Sequence, residues 1–378
     1  MKALVTGGAG FIGSHLADAL LARGYEVRVL DNLDRRVHSQ GGAVNLDPAV
    51  EFVCGDVRDR GAVEKALDGV SAIFHEATYQ SMLGEYEEFF DVNVRGTALL
   101  FDVIREQGTE IEKFVVASSQ AVYGEGQYYC SVHGLVLPGA RSQERLDGGD
   151  WNVRCPQCKA EVLPVLLREE HTHPTGEFGL SKYAQEVTAL GLGRILKIPT
   201  VALRYSLVQG PRQRYYQATS GICRSFVRGL RSGSAPLLFE DGRQLRDYIH
   251  VSDVVAANLA VLDDPRADGQ AFNVGSGRAT AASEYARVLI QRSGSRMTPQ
   301  ILGIYRTGDV RNAVSSIAKL EILGWTVTKG IRQILDDYLA WVDAAPDPPD
   351  FLAPAMEALV RAGMIRGGVR SRAATAAV

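Results

Sequence analysis

Through the first half of the chain, short runs of apolar and β-branched residues alternate with longer stretches in which apolar residues recur every three or four positions. The runs Ala3 to Val5, Glu26 to Leu30, Glu51 to Cys54, Ala72 to Phe74, Lys113 to Ala117 and Thr200 to Leu203 read as buried strands. Continuous apolar character suits a strand covered on both faces. Between them, Phe11 to Arg23, Ala62 to Leu67, Asp91 to Gln107 and Leu180 to Leu196 carry helical spacing. Repetition of strand and helix predicts an α/β fold, a Rossmann-type doubly wound parallel sheet.

The rhythm breaks over residues 126–174, rich in Gly, Pro and Arg with paired Cys, which reads as an insertion. It weakens again after Tyr205. The predicted organisation is a dinucleotide-binding domain (1–205 with 247–275), a smaller substrate-binding lobe (206–246 with 276–342) and a partly flexible extension (343–378). That extension has a Pro-rich joint, one short amphipathic helix near Met356 to Met364, and a Gly/Arg/Ala end expected to stay mobile.

With 46% hydrophobic and 22% charged residues over 378 positions, the composition is that of a soluble globular chain, not a disordered one. A net charge of -3 gives no bulk attraction to nucleic acid or anionic lipid, so small molecules are the expected partners. The sequence has no membrane-length apolar run, and its first residues enter a strand directly rather than forming a secretory signal, so a cytoplasmic location is expected.

The first predicted strand runs into Thr6-Gly7-Gly8-Ala9-Gly10-Phe11-Ile12-Gly13. Gly7 suits a tight turn, Gly10 leaves room for a phosphate, and Gly13 lets the following helix pack closely. Backbone amides at that helix start can hold a pyrophosphate. The second strand ends at Asp31, placed to accept hydrogen bonds from an adenosine ribose, which argues for NAD. Arg35 and Arg36 follow closely enough to pair with a 2'-phosphate, so NADP stays open.

Cys130-x2-His133 and Cys155-x2-Cys158 form two short chelating pairs inside the insertion, the donor set of a closed structural zinc site. His171 and His173 read as solvated loop residues, and Cys54 and Cys223 as core packing.

Taken with TGGAGFIGSH, the motifs GDVRD from Gly55, DVNVRGT from Asp91, ASSQAVYGEG from Ala117, GLSKYAQE from Gly179 and RDYIHVSDV from Arg246 resemble the extended short-chain dehydrogenase/reductase family. Within it, nucleotide-sugar 4-epimerases of the dTDP-L-rhamnose type are most similar. The resemblance implies that Asp56 and Val57 contact adenine and that Asn93 supports the cofactor site. It makes Ser119 the catalytic serine and Lys182 the lysine that bonds the nicotinamide ribose and lowers the pKa of a catalytic tyrosine. That tyrosine belongs four residues before the lysine, where this chain has Phe178.

A phenyl ring has no proton to give or take. Leu207 stands where an asparagine near the substrate diphosphate is usual, and His75-Glu76-Ala77-Thr78 stands where His-Leu-Ala-Ala is usual. These coordinated departures favour a retuned pocket over one laboratory substitution. Glu76, at a strand end, is the leading candidate to replace the tyrosine, with Tyr123, Ser119 and Glu177 as others. Arg246 and Arg306 match the arginines that clamp a nucleotide-sugar diphosphate in relatives.

The leading reading is NAD(P)-dependent hydride transfer at a sugar ring carbon, C4 by resemblance. A one-way keto-sugar reductase acting on an antibiotic sugar and a catalytically silent dinucleotide or sugar binder are the alternatives. Resemblance also implies a homodimer through the helices at Asp91 to Gln107 and Leu180 to Leu196.

Overall fold

The computed structural model describes residues 1–38, 42–81, 85–213, 222–344 and 352–367. It opens with β1 (Lys2–Thr6), α1 (Phe11–Ala22), β2 (Glu26–Asp31), β3 (Glu51–Cys54), α2 (Arg60–Leu67) and β4 (Ala72–His75). There follow α3 (Tyr86–Phe90), a π-helical turn (Asp91–Arg95), α4 (Gly96–Gln107) and β5 (Lys113–Ser119). The inserted segment contributes β6 (Tyr128–Cys130), β7 (Gly134–Val136), α5 (Gln143–Asp147) and β8 (Leu163–Pro164). After it come α6 (Glu177–Leu196), β9 (Thr200–Tyr205), β10 (Leu207–Gln209), α7 (Ile222–Arg231), β11 (Leu237–Leu238), β12 (Leu245–Arg246), β13 (Tyr248–His250), α8 (Val251–Asp263) and β14 (Ala271–Val274).

Seven strands form one sheet in the order β14-β9-β5-β4-β1-β2-β3, and every neighbouring pair is parallel. The order reverses between β1 and β4, so the connections leaving their carboxyl ends run to opposite faces and leave a crevice, the place where such sheets bind ligands. Helices cover both faces. On one, Leu16, Ala17 and Leu20 of α1 pack with Val254, Ala257 and Val261 of α8 against β1, β4 and β9. On the other, α2, α4 and α6 bury Val63, Leu100, Ile104 and Ala189 against Ile73, Phe114 and Val116.

The expected helix from Asp91 to Gln107 is interrupted: its first turn is π-helical, and the wider turn carries the buried Asn93. Such turns recur at functional sites. Helix α6 starts three residues earlier than the periodicity suggests, which places Phe178 on the helix itself. Cys54 is exposed rather than packed, because β3 is the edge strand and turns only Val53 inward. Cys223 is buried as expected.

The short helix expected near Met356 to Met364 is present a few residues earlier, and a strand that was not expected follows it. A helix at Leu352–Arg361 leads to a strand at Ile365–Gly367 that pairs antiparallel with Ile304–Arg306. Ile304, Leu359 and Ile365 make a small core there, so the extension is tied to the strand bearing Arg306. The Pro-rich joint and the final residues 368–378 lie outside the described residues. No helix among the described residues is long and apolar enough to cross a membrane.

Candidate active site

The crevice is built first by the loop after β1. Gly7 adopts φ +66° and lies so close to the end of β4 that a Cβ there would stand 2.7 Å from the Ala77 amide nitrogen. Only glycine satisfies both conditions. Gly10 caps α1 with no side-chain hydrogen bond of its own, and a Cβ there would meet no neighbour but the Gly7 carbonyl. The α1 start, with Phe11 and Ile12 half-buried and Gly13 buried beneath them, is therefore a cradle open to an anion. Asp31 lies across it, accepting from the Ala9 amide at 3.1 Å and the Leu33 amide at 2.9 Å. These groups fit a dinucleotide.

Arg36 does not wait for a 2'-phosphate. Its Nη2 and Nε are bonded to Asp34, its Nη1 reaches Tyr79 Oη at 3.0 Å, and its guanidinium lies over the Tyr79 ring. Arg35 is exposed. Asp56 is gripped by Arg58 through two side-chain bonds and by Asn32, and Val57 is buried beside it. Asn93 accepts from the Tyr79 amide at 2.7 Å and donates to the Tyr79 carbonyl and to Ser181 Oγ. It thus ties the loop after β4 to α6.

Beyond the cradle, β5 ends at Ser119, whose hydroxyl accepts from the Ala121 amide and starts a 3-10 turn. Helix α6 crosses that turn at Gly179, where a Cβ would come within 2.4 Å of the Ala121 carbonyl oxygen. Phe178, next to this contact, packs edge-on against Phe89, which packs on Tyr79. An apolar wall stands where the resemblance calls for a phenol.

One turn along α6, Lys182 is 2% exposed. Its Nζ donates to Gln185 Oε1 at 2.5 Å and to Thr78 Oγ1 at 2.7 Å. Gln185 continues inward to Thr97 Oγ1, which donates its own proton to the Asn93 carbonyl. His75 Nε2, 2.8 Å from Thr97 Oγ1, must then be the donor, which leaves Nδ1 to accept from Thr6 Oγ1 at 2.7 Å. Burial first, and then Lys182, drive the His75 imidazole down to about 3, so it is neutral. Burial likewise lowers the Lys182 ammonium to about 7, against the opposing pull of Glu76 and Glu186.

Glu76 lies at the end of β4. Tyr205 Oη donates to its Oε1 at 2.7 Å and accepts from Asn258 on α8. Burial raises its carboxyl to about 7, with the Tyr205 bond and Lys182 pulling the other way. Two groups with opposite charges thus titrate near neutrality at one strand end, a pattern associated with reacting centres. The sign of their coupling gives a test. Glu76→Gln removes a charge that raises Lys182, so a limb of kcat/KM set by Lys182 moves to lower pH by roughly half a unit to one unit. Loss of turnover at every pH would instead make the carboxyl itself the proton carrier.

Tyr123 is not at the site. Its hydroxyl donates to Asn273 and accepts from Arg204, and burial pushes its phenol well up. The 3-10 turn after Ser119 rotates it into a buried network with Glu186. Glu177 begins α6 half-buried, and no hydrogen bond or ion pair among the described residues ties it to the crevice. Leu207 lies in β10, its amide bonded to the Asp247 carbonyl. Arg246 is held by Asp309 and by the carbonyls of Leu245, Val310 and Arg311. Arg306 lies over the Phe239 ring, and its Nε has no hydrogen-bond partner. Burial pushes the Asp309 carboxyl up, but Arg246, Arg306 and Arg141 together hold it below its usual range.

A model described as the NAD dependent epimerase/dehydratase family matches residues 3–133 and 159–275. The chain belongs to that family. The gap in the match, residues 134–158, falls within the insertion. A dTDP-L-rhamnose 4-epimerase of Burkholderia thailandensis is 34% identical over 349 residues, 90% of this chain and 94% of the relative. A putative UDP-glucose 4-epimerase of Methanocaldococcus jannaschii is 32% identical over 88% of this chain and 97% of its own length. A Thermotoga maritima UDP-glucose 4-epimerase solved with UDP-glucose matches with TM-score 0.74 and 28% identity, over 91% of this chain and 99% of the other. A Thermus thermophilus UDP-glucose 4-epimerase solved with NAD matches with TM-score 0.71 and 28% identity, over 92% of this family member and 100% of the other. These relatives are 4-epimerases, not keto-sugar reductases, and they are enzymes, so the reductase and silent-binder readings gain no support.

The second cluster lies in the insertion. The donor atoms of Cys130, His133, Cys155 and Cys158 all fall within 4.8 Å of one another. Cys130 Sγ is 3.6 Å from Cys158 Sγ and 3.7 Å from His133 Nδ1, and Cys155 Sγ is 3.5 Å from His133 Nδ1. A disulfide is far shorter, at about 2.05 Å. Tetrahedral zinc with Zn–S near 2.3 Å has ligand edges of about 3.8 Å, close to what is seen. Each pair is followed by a residue in the left-handed region, Gly134 at φ 70° and Lys159 at φ 62°, which turns the chain back around the donors.

Sequence reasoning did not single out Thr78, Gln185 or Tyr205 as site residues. Gln185 stands three positions after Lys182 on the same helix face, a signal that was available. Nothing local marks Thr78 as the partner of a lysine more than a hundred residues away.

Proposed function

We propose that the chain is an NAD-dependent nucleotide-sugar 4-epimerase in which the proton-handling group has moved away from position 178. The observation that carries this reading is the buried Lys182 amine, bonded to Thr78 where β4 ends beside the dinucleotide cradle. The amides from Gly7 to Gly13, with Asp31 and Asp56, would hold NAD, whose chemistry there would be reversible hydride transfer at the ring carbon, and the buried Asn93 supports that site by pinning the loop after β4. The commitment of Arg36 to Asp34 favours NAD over NADP. Ser119 orients the reacting hydroxyl. Arg306, helped by Arg246, holds the diphosphate, and Leu207 gives that pocket a less polar wall than an asparagine would. The lobe formed by 206–246 and 276–342 carries this clamp.

The insertion completes the proposal. Cys130, His133, Cys155 and Cys158 hold one structural zinc, which substitutes for a core that is very small there. Exposed Leu180, Val187 and Ile195 on α6 supply apolar surface for a second copy of the chain.

The test is incubation of the purified protein, with and without added NAD, with dTDP-L-rhamnose and separately with UDP-glucose, followed by proton NMR at H4. The C4 epimer should accumulate to a fixed ratio from either side without net NADH formation. Stoichiometric consumption of NADPH with a keto sugar, and no epimer, would overturn the reading.

A further inference from the structure

Lys182 is closed off from the crevice. Its amine is buried, Gln185 takes one of its hydrogens on the inner side, and Thr78 Oγ1 sits 2.7 Å away on the outer side. Thr78 itself is exposed, in the segment that leaves β4 at the crevice. The Thr78 hydroxyl, exposed and bonded to this amine, is placed to carry a proton between a ligand and Lys182. The segment is also firmly placed. The Ala77 amide donates to Thr6 Oγ1, and Asn93 holds both backbone groups of Tyr79. A hydroxyl on a pinned backbone, bonded to a buried amine, has the preorganisation that proton transfer needs.

We propose that Thr78 is a catalytic residue, its hydroxyl relaying the proton between the reacting sugar hydroxyl and Lys182. This rests on the epimerase reading above. In the oxidising half-reaction the sugar O–H bond breaks and its proton goes to Thr78 Oγ1. The Thr78 proton passes to the lone pair of the neutral Lys182 amine, which becomes an ammonium. The ring hydrogen would leave with the C–H bonding pair as hydride, for which bound oxidised nicotinamide would be the acceptor, and the carbon–oxygen bond becomes a carbonyl. In the reverse half the ammonium returns its proton through the same hydroxyl as hydride comes back, so protons and electrons balance over the cycle. Two departures from the usual pattern then compensate each other: the phenol lost at 178 and the hydroxyl gained at 78. The chain behind Lys182, through Gln185, Thr97 and neutral His75 to Thr6, keeps the amine oriented without offering it a charge of opposite sign. The charged groups that do face it are Glu76 and Glu186, and Glu186 is committed to Arg204.

The test compares Thr78→Val, which keeps the shape, with Thr78→Ser, which keeps the hydroxyl. With whichever of dTDP-L-rhamnose or UDP-glucose the wild type epimerises, kcat should fall about 100-fold or more in the valine variant and stay within about threefold in the serine variant. NAD affinity by calorimetry should change little in both. A second readout uses the protein without substrate: trace acetic anhydride labelling, with Lys182 acetylation followed by peptide mass. Thr78→Ala should uncover the amine and speed its labelling at least about tenfold over wild type. A valine variant as active as wild type overturns the relay while leaving the epimerase reading intact. Wild-type Lys182 that labels as fast as an exposed lysine also overturns it. A wild type that epimerises neither sugar overturns the parent reading, and the relay with it.

Discussion

Lys182→Met is expected to lower turnover about a thousandfold or more while the protein still folds and still binds NAD. Proton transfer by a positioned group contributes on the order of 10² to 10⁴ in rate, and no other amine reaches this strand end among the described residues. Methionine matches the length and removes the hydrogens bonded to Thr78 and Gln185. Leaving Gln185 Oε1 without a donor costs roughly 1–3 kcal/mol. Removing a buried amine offsets part of that. The folded-state pKa of Lys182 is depressed to about 7, below its usual 10.5. Between those values the unfolded chain holds the extra proton, so wild-type stability rises with pH across that window. The methionine variant should lack this rise. Thermal melts at pH 7 and pH 10 check the stability claim, and NAD titration with single-turnover absorbance checks the rest. A variant that turns over at a tenth of the wild-type rate or better would move the proton chemistry to Glu76 or Ser119.

What could be read before the structure divides by range along the chain. The parallel sheet was legible because a strand buried on both faces is apolar without interruption, as Ala72 to Phe74 and Lys113 to Ala117 show. The phosphate loop was legible for the same local reason: one turn and one helix start hold all its requirements, from Gly7 to Gly13. The paired donors of the insertion were legible because each pair is a chelate spanning four residues. The Lys182 environment was not, since Thr78, Glu76 and Lys182 meet only when the end of β4 comes under α6. Tyr123 misled because its nearness to Ser119 in sequence suggested one site. The short turn between them sends its side chain to Arg204 and Asn273 instead. The strand at Ile365–Gly367 was illegible because three residues carry no period, and its pairing partner lies some sixty positions earlier.

Cys155→Ser is expected to empty the metal site and loosen the whole insertion. The buried cluster there consists of Tyr128, Cys130, Val136, Val153, Cys155 and Val162, and two of those six are zinc donors in this proposal. Without the metal, four apolar side chains remain to hold a segment whose other elements are short hairpin strands and the five-residue helix α5. Structural zinc in such segments supplies folding free energy outright. The consequence should reach the clamp, because the insertion is bonded to it. Arg141 gives Nη2 to Glu240 at 2.8 Å and to the Asp309 carbonyl at 2.7 Å, and Tyr128 Oη bonds Glu125, which also accepts the Arg311 amide. Arg141 and Glu240 are both nearly fully buried, so movement of the insertion takes from Glu240 one of its two arginine partners and leaves it to Arg311 alone. Asp309 in turn holds Arg246. The serine variant should therefore be cut by protease within the insertion about 100-fold faster than wild type. Its KM for the nucleotide sugar should rise more than its kcat falls, and NAD affinity should be unchanged, since the cradle lies on β1 and β2. Elemental analysis of chelator-free wild type should find one zinc per chain. Wild type with under a tenth of an equivalent would show that the insertion holds together without a metal, and a serine variant as resistant to protease as its parent would show that the insertion does not depend on this donor set.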